Sequence, residues 1–198
     1  MSRSKLRVTQ TLLSAFDWIE RKEDGFDDFL RTLNRQPKEA SEAMLNGIEF
    51  EAMVNKALDG IPPDPEHKWA KNARQLARYL DGAQQQVTLF REVDVDGQTF
   101  LLHGVLDFLR AGVIYDTKFS KTYKLGKYRT SPQHPMYFAL VPEAYEFQYL
   151  ICDGNWVYGE TYRPDITEPI EGEIRDFVAF LKRYGLFDDY KNKWAVRP

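Results

Sequence analysis

The sequence predicts a mixed α/β (α+β) fold, in which a central mixed sheet containing a three-strand antiparallel meander is flanked by helices. Two observations lead to this prediction. Apolar residues recur at helical spacing in the first and last parts of the chain, whereas in the middle they follow the two-residue period of strands. The turn signals Asp96-Gly97 and Ala111-Gly112 separate three consecutive strand-like runs. We therefore expect one domain over residues 1–198, with a helical N-terminal part (1–85), a sheet core (86–163) and a C-terminal helix (164–198).

Composition limits the kinds of partner, cofactor and compartment that we expect for the protein. With 43% hydrophobic residues the chain can form a real core, and its net charge of −3 means that any surface for a polyanion must be a local patch. The single cysteine, Cys152, excludes an intrachain disulfide, a zinc site built on cysteines and an iron–sulfur cluster. One cysteine also suits a reducing compartment, so we expect a cytoplasmic protein. No segment is long and apolar enough to span a bilayer, so we expect no membrane partner.

The N-terminal part contains three predicted helical regions, at 9–33 with a division at Gly25, at 38–58 and at 66–80. In the second region a helical projection places Glu51 on an otherwise apolar face formed by Ala40, Ala43, Met44, Gly47, Phe50, Val54 and Leu58. Two interpretations stay open for Glu51. It supplies a carboxylate to a buried site, or, as this helix alone favours, it extends to solvent or pairs with a core arginine or lysine. The third region carries cations that either meet phosphate or, the favoured interpretation, face water: Lys68, Lys71, Arg74 and Arg78.

Three ionisable residues interrupt the two most apolar strands of the predicted meander. Asp107 lies in the run 100–109, and Asp116 and Lys118 lie in the run 113–119. Because side chains alternate along a strand, Asp116 and Lys118 share a face and Thr117 points to the other. Buried charge is costly unless it is paired or bound to a metal. These three residues therefore require partners or a functional explanation.

A basic segment with interspersed aromatic residues follows directly. No acid occurs between residues 118 and 129, where the chain carries Tyr123 and Tyr128 as well as Lys121, Lys124, Lys127 and Arg129. This mixture suits a phosphate backbone with exposed bases, although an exposed mobile loop without a partner has the same composition.

The remaining elements are a helix, two strands and a last helix. Ser131-Pro132 is typical of a helix start, and Gln133 and Tyr137 share a face of this helix. Strands are expected at 146–152 and 156–162, and a helix at 168–184. We expect His103 and Cys152 to be core residues.

The ionisable residues have the chemistry of a divalent-metal site. Hard oxygen ligands suit Mg²⁺ or Mn²⁺. We expect these ligands to be the carboxylates of Asp107, Asp116 and Glu51 and the backbone carbonyl of Thr117. Lys118 cannot bind a metal while protonated, but it can orient an attacking water or neutralise charge in a transition state. Beside a basic loop, this combination favours hydrolysis of a phosphodiester.

Four short motifs occur in order: Gly-x-x-x-Glu at 47–51, Gly-x-x-Asp at 104–107, Asp-x-Lys at 116–118 and Gln-x-x-x-Tyr at 133–137. With them, the chain resembles the PD-(D/E)xK nuclease superfamily, in particular its RecB-like and phage-exonuclease-like branches. The resemblance covers residues 47–137 and implies a restriction-endonuclease-like core. Asp116 stands where many members have glutamate, and Glu51 stands where RecB-like members often have histidine. The cysteine cluster of the iron–sulfur members is absent.

The resemblance implies a metal-dependent DNA nuclease, an exonuclease or DNA-processing nuclease of phage or bacterial recombination or repair type. Asp107, Asp116 and Glu51 would bind Mg²⁺ or Mn²⁺, and Lys118 would be the catalytic lysine. Gln133 and Tyr137 would buttress the site and contact the DNA backbone. Lys121, Lys124, Lys127 and Arg129 of the basic segment would also contact DNA. Besides DNA, the resemblance leaves open a homo-oligomer and a recombinase or single-strand-binding protein as partners.

Two other classes of function stay open from the sequence. A nucleic-acid-binding module on the same fold would bind without cleaving, although the intact set of Glu51, Asp107, Asp116 and Lys118 argues against it. A structural or interaction protein would instead pair its buried carboxylates with arginine or lysine.

Overall fold

The computed structural model describes residues 5–21 and 25–196 and has the predicted mixed α/β fold. Within these residues one open sheet of six strands is flanked by seven α-helices and a short 3₁₀ helix, Pro164–Ile166. The strands are β1 Leu6–Thr9, β2 Gln84–Val95, β3 Gln98–Arg110, β4 Val113–Phe119, β5 Glu146–Cys152 and β6 Val157–Tyr162. The helices are α1 Gln10–Arg21, α2 Phe26–Leu33, α3 Glu42–Leu58, α4 Ala70–Tyr79, α5 Gln133–Leu140, α6 Ile170–Arg183 and α7 Phe187–Trp194.

The sheet is mixed, and β3 is its central strand. The order is β1-β3-β4-β5-β6, and β2 pairs with β3 along its other edge. The β2–β3–β4 meander is antiparallel, as predicted, and β5–β6 is a further antiparallel pair. Two pairs, β1–β3 and β4–β5, are parallel. The second of these is connected through α5, because parallel neighbours need a crossover rather than a tight turn.

The two predicted turns of the meander are confirmed by their backbone angles. Asp96 and Gly97 have φ values of 51° and 76°, and Ala111 and Gly112 have values of 49° and 79°. Two consecutive positive φ angles match the right-handed twist of the flanking strands, which is why such turns make tight hairpins. These turns fix the register that brings Asp107 opposite the strand of Asp116.

Each face of the sheet is covered by its own helical layer. The larger core joins α1, α2, α5, α6 and α7 to one face, through buried residues such as Phe16, Phe147 and Phe177. The smaller core joins α3 and α4 to the other face around Phe50, Trp69 and further residues of β3–β5. Because both faces of the sheet are covered, β3 consists of an almost continuous run of apolar residues.

The N-terminal part differs from the prediction in three ways. It begins with a strand, β1, and is therefore not helical throughout. The second and third helices begin later than predicted, at Glu42 and Ala70. The apolar face of α3 is buried only in its second half, because α4 and β4 pack against that half alone. Phe50 and Val54 are at most 1% exposed, whereas Met44, Leu45 and Ile48 are each more than half exposed.

The C-terminal part also differs, since it contains two helices, α6 and α7, rather than one. The predicted division of the first helical region at Gly25 is confirmed: this residue has a φ of 106° and precedes α2. None of the described helices is long and apolar enough to cross a membrane.

Candidate active site

The candidate site lies in a gap between β3 and β4. On one edge of β3, β1 pairs with residues 100–103 and β4 pairs with residues 108–110. Residues 104–107 are therefore left without a partner strand on that edge, where β3 and β4 diverge. Asp107 bridges the gap, because its Oδ2 accepts hydrogen bonds from the backbone N–H of Thr117 at 2.9 Å and from the Thr117 hydroxyl at 3.3 Å.

Asp116 and Lys118 project from β4 on the same side, as the strand alternation predicts. The Lys118 Nζ lies 2.6 Å from Oδ2 of Asp116, whose side chain is 2% exposed. The other carboxylate oxygen, Oδ1, accepts a hydrogen bond from Gln133 Nε2 at 2.5 Å. Apart from its ion pair with Lys118, Oδ2 is buried and accepts no hydrogen bond from the described part of the chain. That oxygen is therefore suited to bind a cation.

The electrostatics of the gap favour an added positive charge. Burial and, next, the negative charge of Asp116 raise the pKa of Asp107 to about 8, with Lys118 opposing both. Burial also acts to lower the pKa of Lys118, but Asp116 and Asp107 outweigh it and hold the pKa above its usual value. Lys118 is thus a stable ammonium. Asp107 is mostly protonated at neutral pH, and a cation bound beside it would favour its ionised form.

Glu51 approaches this site from α3 but is engaged elsewhere. Its Oε1 accepts a hydrogen bond from Gln86 Nε2 at 3.2 Å. Its charge contributes to raising the pKa of Asp107, which places the two carboxylates within electrostatic reach. Among the described residues, however, no group of three histidine, cysteine, aspartate or glutamate side chains is arranged to hold a metal ion. The structure therefore places Glu51 beside Asp107 and Asp116 without bringing the three carboxylates together as ligands.

Asp107 and Asp116 alone are a donor set that fits a hard divalent cation. Mg²⁺ keeps several of its waters and is commonly held by one or two carboxylates together with substrate phosphates. The buried Oδ2 of Asp116, which is paired only with Lys118 in the described part of the chain, and the raised pKa of Asp107 both favour the addition of such an ion. The backbone carbonyl of Thr117 stays a predicted third ligand, while its N–H and hydroxyl hold Asp107.

Two residues of α5 support the site from behind. Gln133 is 4% exposed and holds Asp116. Tyr137 is equally buried, and its hydroxyl donates to the Val105 carbonyl at 2.8 Å on the unpaired stretch of β3. Gly104 lies under this helix, where an added Cβ would be 2.6 Å from Leu140 Cδ1 and 3.0 Å from Tyr137 Cε1. Both predicted DNA-contacting side chains of α5 are therefore packed inside and position the site.

The basic loop, residues 120–130, is anchored rather than free. Glu160 on β6 accepts hydrogen bonds from the Tyr123 hydroxyl at 2.7 Å and the Gly126 N–H at 2.8 Å. Tyr128 stacks on Tyr149 with ring centroids 4.7 Å apart. These contacts argue against a mobile loop.

The cations of the basic loop differ in how they are engaged. Lys121 lies 3.0 Å from Glu42 at the start of α3. Lys127 donates to the Ser120 hydroxyl at 2.6 Å. Lys124 and Arg129 are exposed. The loop therefore presents positive charge to solvent at the end of β4, directly after Lys118.

Two residues that position the site were missed from the sequence. Glu160 is 5% exposed and also accepts from the Tyr162 hydroxyl at 2.7 Å. Burial acts to raise the pKa of Glu160, but the hydrogen bonds from Tyr162, Tyr123 and Gly126 outweigh it and keep the pKa low. The flanking Tyr158 and Tyr162 on the same strand face were the available signal. Gln86, the partner of Glu51, has a φ of 51° inside β2, and no sequence pattern predicts such a backbone.

Cys152 and His103, the two expected core residues, differ in burial, and a second histidine, His134, is buried as well. Cys152 is fully buried, as predicted, and accepts a hydrogen bond from Asn72 at 3.3 Å. His103 is only partly buried and stacks on the exposed Phe90 at 4.5 Å. His134 is buried and stacks on Tyr162 at 4.2 Å.

Comparison with known proteins identifies the fold and no more. No family model matches the sequence, and no curated protein matches it. The structure is similar to the crystal structure of SSO0001, with a TM-score of 0.57 and 16% sequence identity over 91% of this chain and 79% of that chain. At this level of identity the similarity shows a shared mixed α/β architecture alone.

Proposed function

We propose that the protein is a Mg²⁺- or Mn²⁺-dependent deoxyribonuclease that hydrolyses phosphodiester bonds, an exonuclease or DNA-processing nuclease of recombination or repair type. The observation that carries the proposal is the meeting of Asp107, Asp116 and Lys118 in the gap between β3 and β4. A basic loop begins directly at the end of this gap, which supports a polyanionic substrate.

Each residue of the gap has a role that follows from its contacts. Asp107 and Asp116 would hold the divalent ion, which when bound supplies Lewis-acid chemistry toward the phosphate. Gln133 fixes one oxygen of Asp116 and leaves the other to Lys118 in the gap. Thr117 fixes Asp107 in the same way.

Lys118 acts through its positive charge rather than as a base. The two aspartates keep its pKa above the usual value, so it holds its proton at neutral pH. An ammonium placed 2.6 Å from a ligand carboxylate can orient a water or stabilise negative charge that develops on the phosphate.

The test is a cleavage assay with matched variants. Linear and nicked DNA, double- and single-stranded, is incubated with the protein in Mg²⁺, Mn²⁺ or EDTA. We expect metal-dependent cleavage that falls by about 10²–10³-fold in Lys118→Met and Asp116→Asn. Lys193→Met, on α7, is the control and should cleave like the unaltered protein.

Two results would contradict the proposal. Binding of DNA without cleavage under every metal condition would favour the non-cleaving nucleic-acid-binding module. Cleavage that persists in folded Lys118→Met and Asp116→Asn would show that this gap is not the active site. Circular dichroism of each variant separates loss of chemistry from loss of folding.

A further inference from the structure

A second basic surface lies on the opposite face of the sheet from Asp116 and Lys118. A cleft of about 860 Å³ separates α4 from strands β5 and β6. Its wall on α4 carries Lys71, Arg74 and Arg78, and no acidic residue lines it. Within the described part of the chain these three cations have no ion-pair partner. In a protein of net charge −3, an acid-free cleft with three cations is suited to a polyanion.

The cleft also offers a flat aromatic surface in a fixed position. Tyr79 is 47% exposed, and its hydroxyl donates to Gln148 Oε1 at 2.9 Å. Tyr158, 37% exposed, stands on the edge strand β6 that borders the cleft, but its ring lies on the other face of the sheet, the face of Glu160 and the basic loop. Trp156, 67% exposed, lies two residues before Tyr158. An exposed ring beside a row of cations provides the two features that bind unpaired bases and their phosphates.

The basic loop reaches the edge strand β6, whose other face borders the cleft, through one aromatic contact. The ring of Tyr158 lies 5.0 Å from the ring of Tyr123, which stands between Lys121 and Lys124 in the loop. In the sheet, β6 is two strands from β4, a distance of roughly 10 Å at the usual strand spacing. A flexible strand could therefore run from the gap, around the end of the sheet past Tyr123 and Tyr158, and into the cleft.

We infer that the cleft between α4 and β6 binds a single-stranded segment of the DNA whose phosphodiester reaches the gap. This inference rests on the proposed function. Single-stranded nucleic acid fits better than an acidic peptide, because the exposed ring of Tyr79 can stack with a base and a carboxylate gains little from it. Duplex DNA fits less well, because its bases are stacked on each other and cannot cover this ring.

The experiment measures binding in EDTA, so that it does not depend on cleavage. Fluorescence anisotropy follows a labelled oligothymidylate of about 20 nucleotides as the salt concentration rises. The cleft variant combines Lys71→Glu with Arg78→Glu, and a second variant is Tyr79→Ala. The control combines Lys182→Glu with Lys193→Glu on α6 and α7, which makes the same change in net charge away from the cleft. Thermal unfolding confirms that each variant is folded.

We expect the charge variant to bind at least about tenfold more weakly than the control. Its plot of log K against log salt should be less steep by about 1.4, the value for two lost phosphate contacts to a single strand. Tyr79→Ala should weaken binding by about tenfold through the loss of base stacking. Equal losses in the cleft variant and the control, or a polyglutamate peptide that competes as well as the oligonucleotide, would overturn the inference.

The two proposals can fail separately. If the unaltered protein cuts no DNA but the cleft variants lose binding in EDTA, the cleft is a nucleic-acid site and the nuclease proposal is wrong. If the unaltered protein cuts DNA and the cleft variants bind like the control, the nuclease proposal stands and the cleft has no part in it.

Discussion

At the scale of single residues, two carboxylates share the buried gap between β3 and β4. Burial and the charge of Asp116 raise the pKa of Asp107 to about 8, Glu51 adds to this effect, and Lys118 opposes it. Folding at neutral pH therefore carries the cost of protonating Asp107, whose ordinary pKa is 3.8. The proposed divalent cation would offset this cost by stabilising the ionised form of the pair.

The substitution Asp107→Asn tests this balance. In EDTA at neutral pH the variant should be more stable to unfolding than the unaltered protein by about 2 kcal/mol, because its folding does not have to protonate a carboxyl with a raised pKa and its amide keeps an oxygen for the Thr117 N–H. Mg²⁺ should raise the unfolding midpoint of the unaltered protein and have a much smaller effect on the variant. Chemical denaturation with and without Mg²⁺ measures both effects.

The matched control is Glu143→Gln, at an exposed carboxylate outside the site. It should respond to Mg²⁺ like the unaltered protein. A variant Asp107→Asn that is less stable in EDTA, or that gains as much from Mg²⁺ as the unaltered protein, would show that Asp107 is not an electrostatically strained ligand.

His134 provides the pH-dependent prediction. Burial lowers its pKa from 6.5 to about 4, with Glu160 opposing the change. Between these values the unfolded chain binds a proton that the folded protein does not, so stability is lost as the pH falls from about 6.5 to about 4. The loss amounts to at most about 3 kcal/mol.

Replacing His134 by Phe keeps a ring to stack on Tyr162 and removes the titrating group. We expect the free energy of unfolding of His134→Phe to fall less than that of the unaltered protein between about pH 7 and about pH 4. Urea denaturation over this range gives the difference in slope. His67→Asn, which leaves the buried histidine in place, should retain the full acid loss; equal slopes in all three proteins would contradict the prediction.

The sequence predicts the residues of the gap better than the residues that hold them. Asp107, Asp116 and Lys118 stand out because charge interrupts apolar strands, and strand alternation places Asp116 and Lys118 together. Glu160 does not stand out, since an acid in an alternating strand normally faces water. Its burial results from Tyr123, a partner 37 residues away. Such a nonlocal partner cannot be read from local spacing.

At the scale of elements, α5 packs so closely on β3 that the contact leaves no room for a side chain at Gly104. Gly104 lies on β3 directly under Tyr137 and Leu140. The same helix carries Gln133 to Asp116. The close packing of α5 on the sheet is therefore linked to the geometry of the site.

A pair of glycine substitutions tests this link. Gly104→Ala places a Cβ within 2.6 Å of Leu140 and should destabilise the protein by about 1–3 kcal/mol through overpacking. Gly47→Ala, in the middle of α3 with no atom within 4 Å of the added Cβ, should stabilise it by about 0.5–1 kcal/mol. Thermal or urea unfolding measures both values, and changes of the same sign would contradict the packing argument.

The elements themselves were predictable where a local period and a turn signal coincide. The meander has both, and its strands and hairpins agree with the prediction. The first half of α3 disagrees with the prediction. Periodicity gives the apolar face of a helix, but it does not give the length over which a partner covers that face. Met44 and Ile48 are exposed for that reason. β1 has only four residues, too few for a periodic signal.

At the scale of the whole molecule, the sheet is completed by pairings that join the ends of the chain to its middle. β1 pairs with β3 in the register Leu6 to Phe100 and Thr9 to His103. The C-terminal region then holds β1, since the Tyr190 hydroxyl donates to the Arg7 carbonyl at 2.8 Å. Parallel pairs between distant segments leave no local trace in a sequence, so the strand order could not be predicted.

Because β1 lies within the larger core, a small cavity there should weaken the whole fold. Val8 is fully buried opposite Leu102. The substitution Val8→Ala should therefore lower the free energy of unfolding by about 2 kcal/mol. The control Val105→Ala, at a residue of β3 that is 38% exposed, should lower it by less than about 1 kcal/mol. If β1 is integral, circular dichroism and tryptophan fluorescence of Val8→Ala should report one common midpoint, lower than that of the unaltered protein. Two results would contradict this: separate midpoints for the two probes, or a loss of stability no larger than that of Val105→Ala. Either would mean that β1 detaches on its own. The edge of β3 beside the gap could then open without unfolding of the domain.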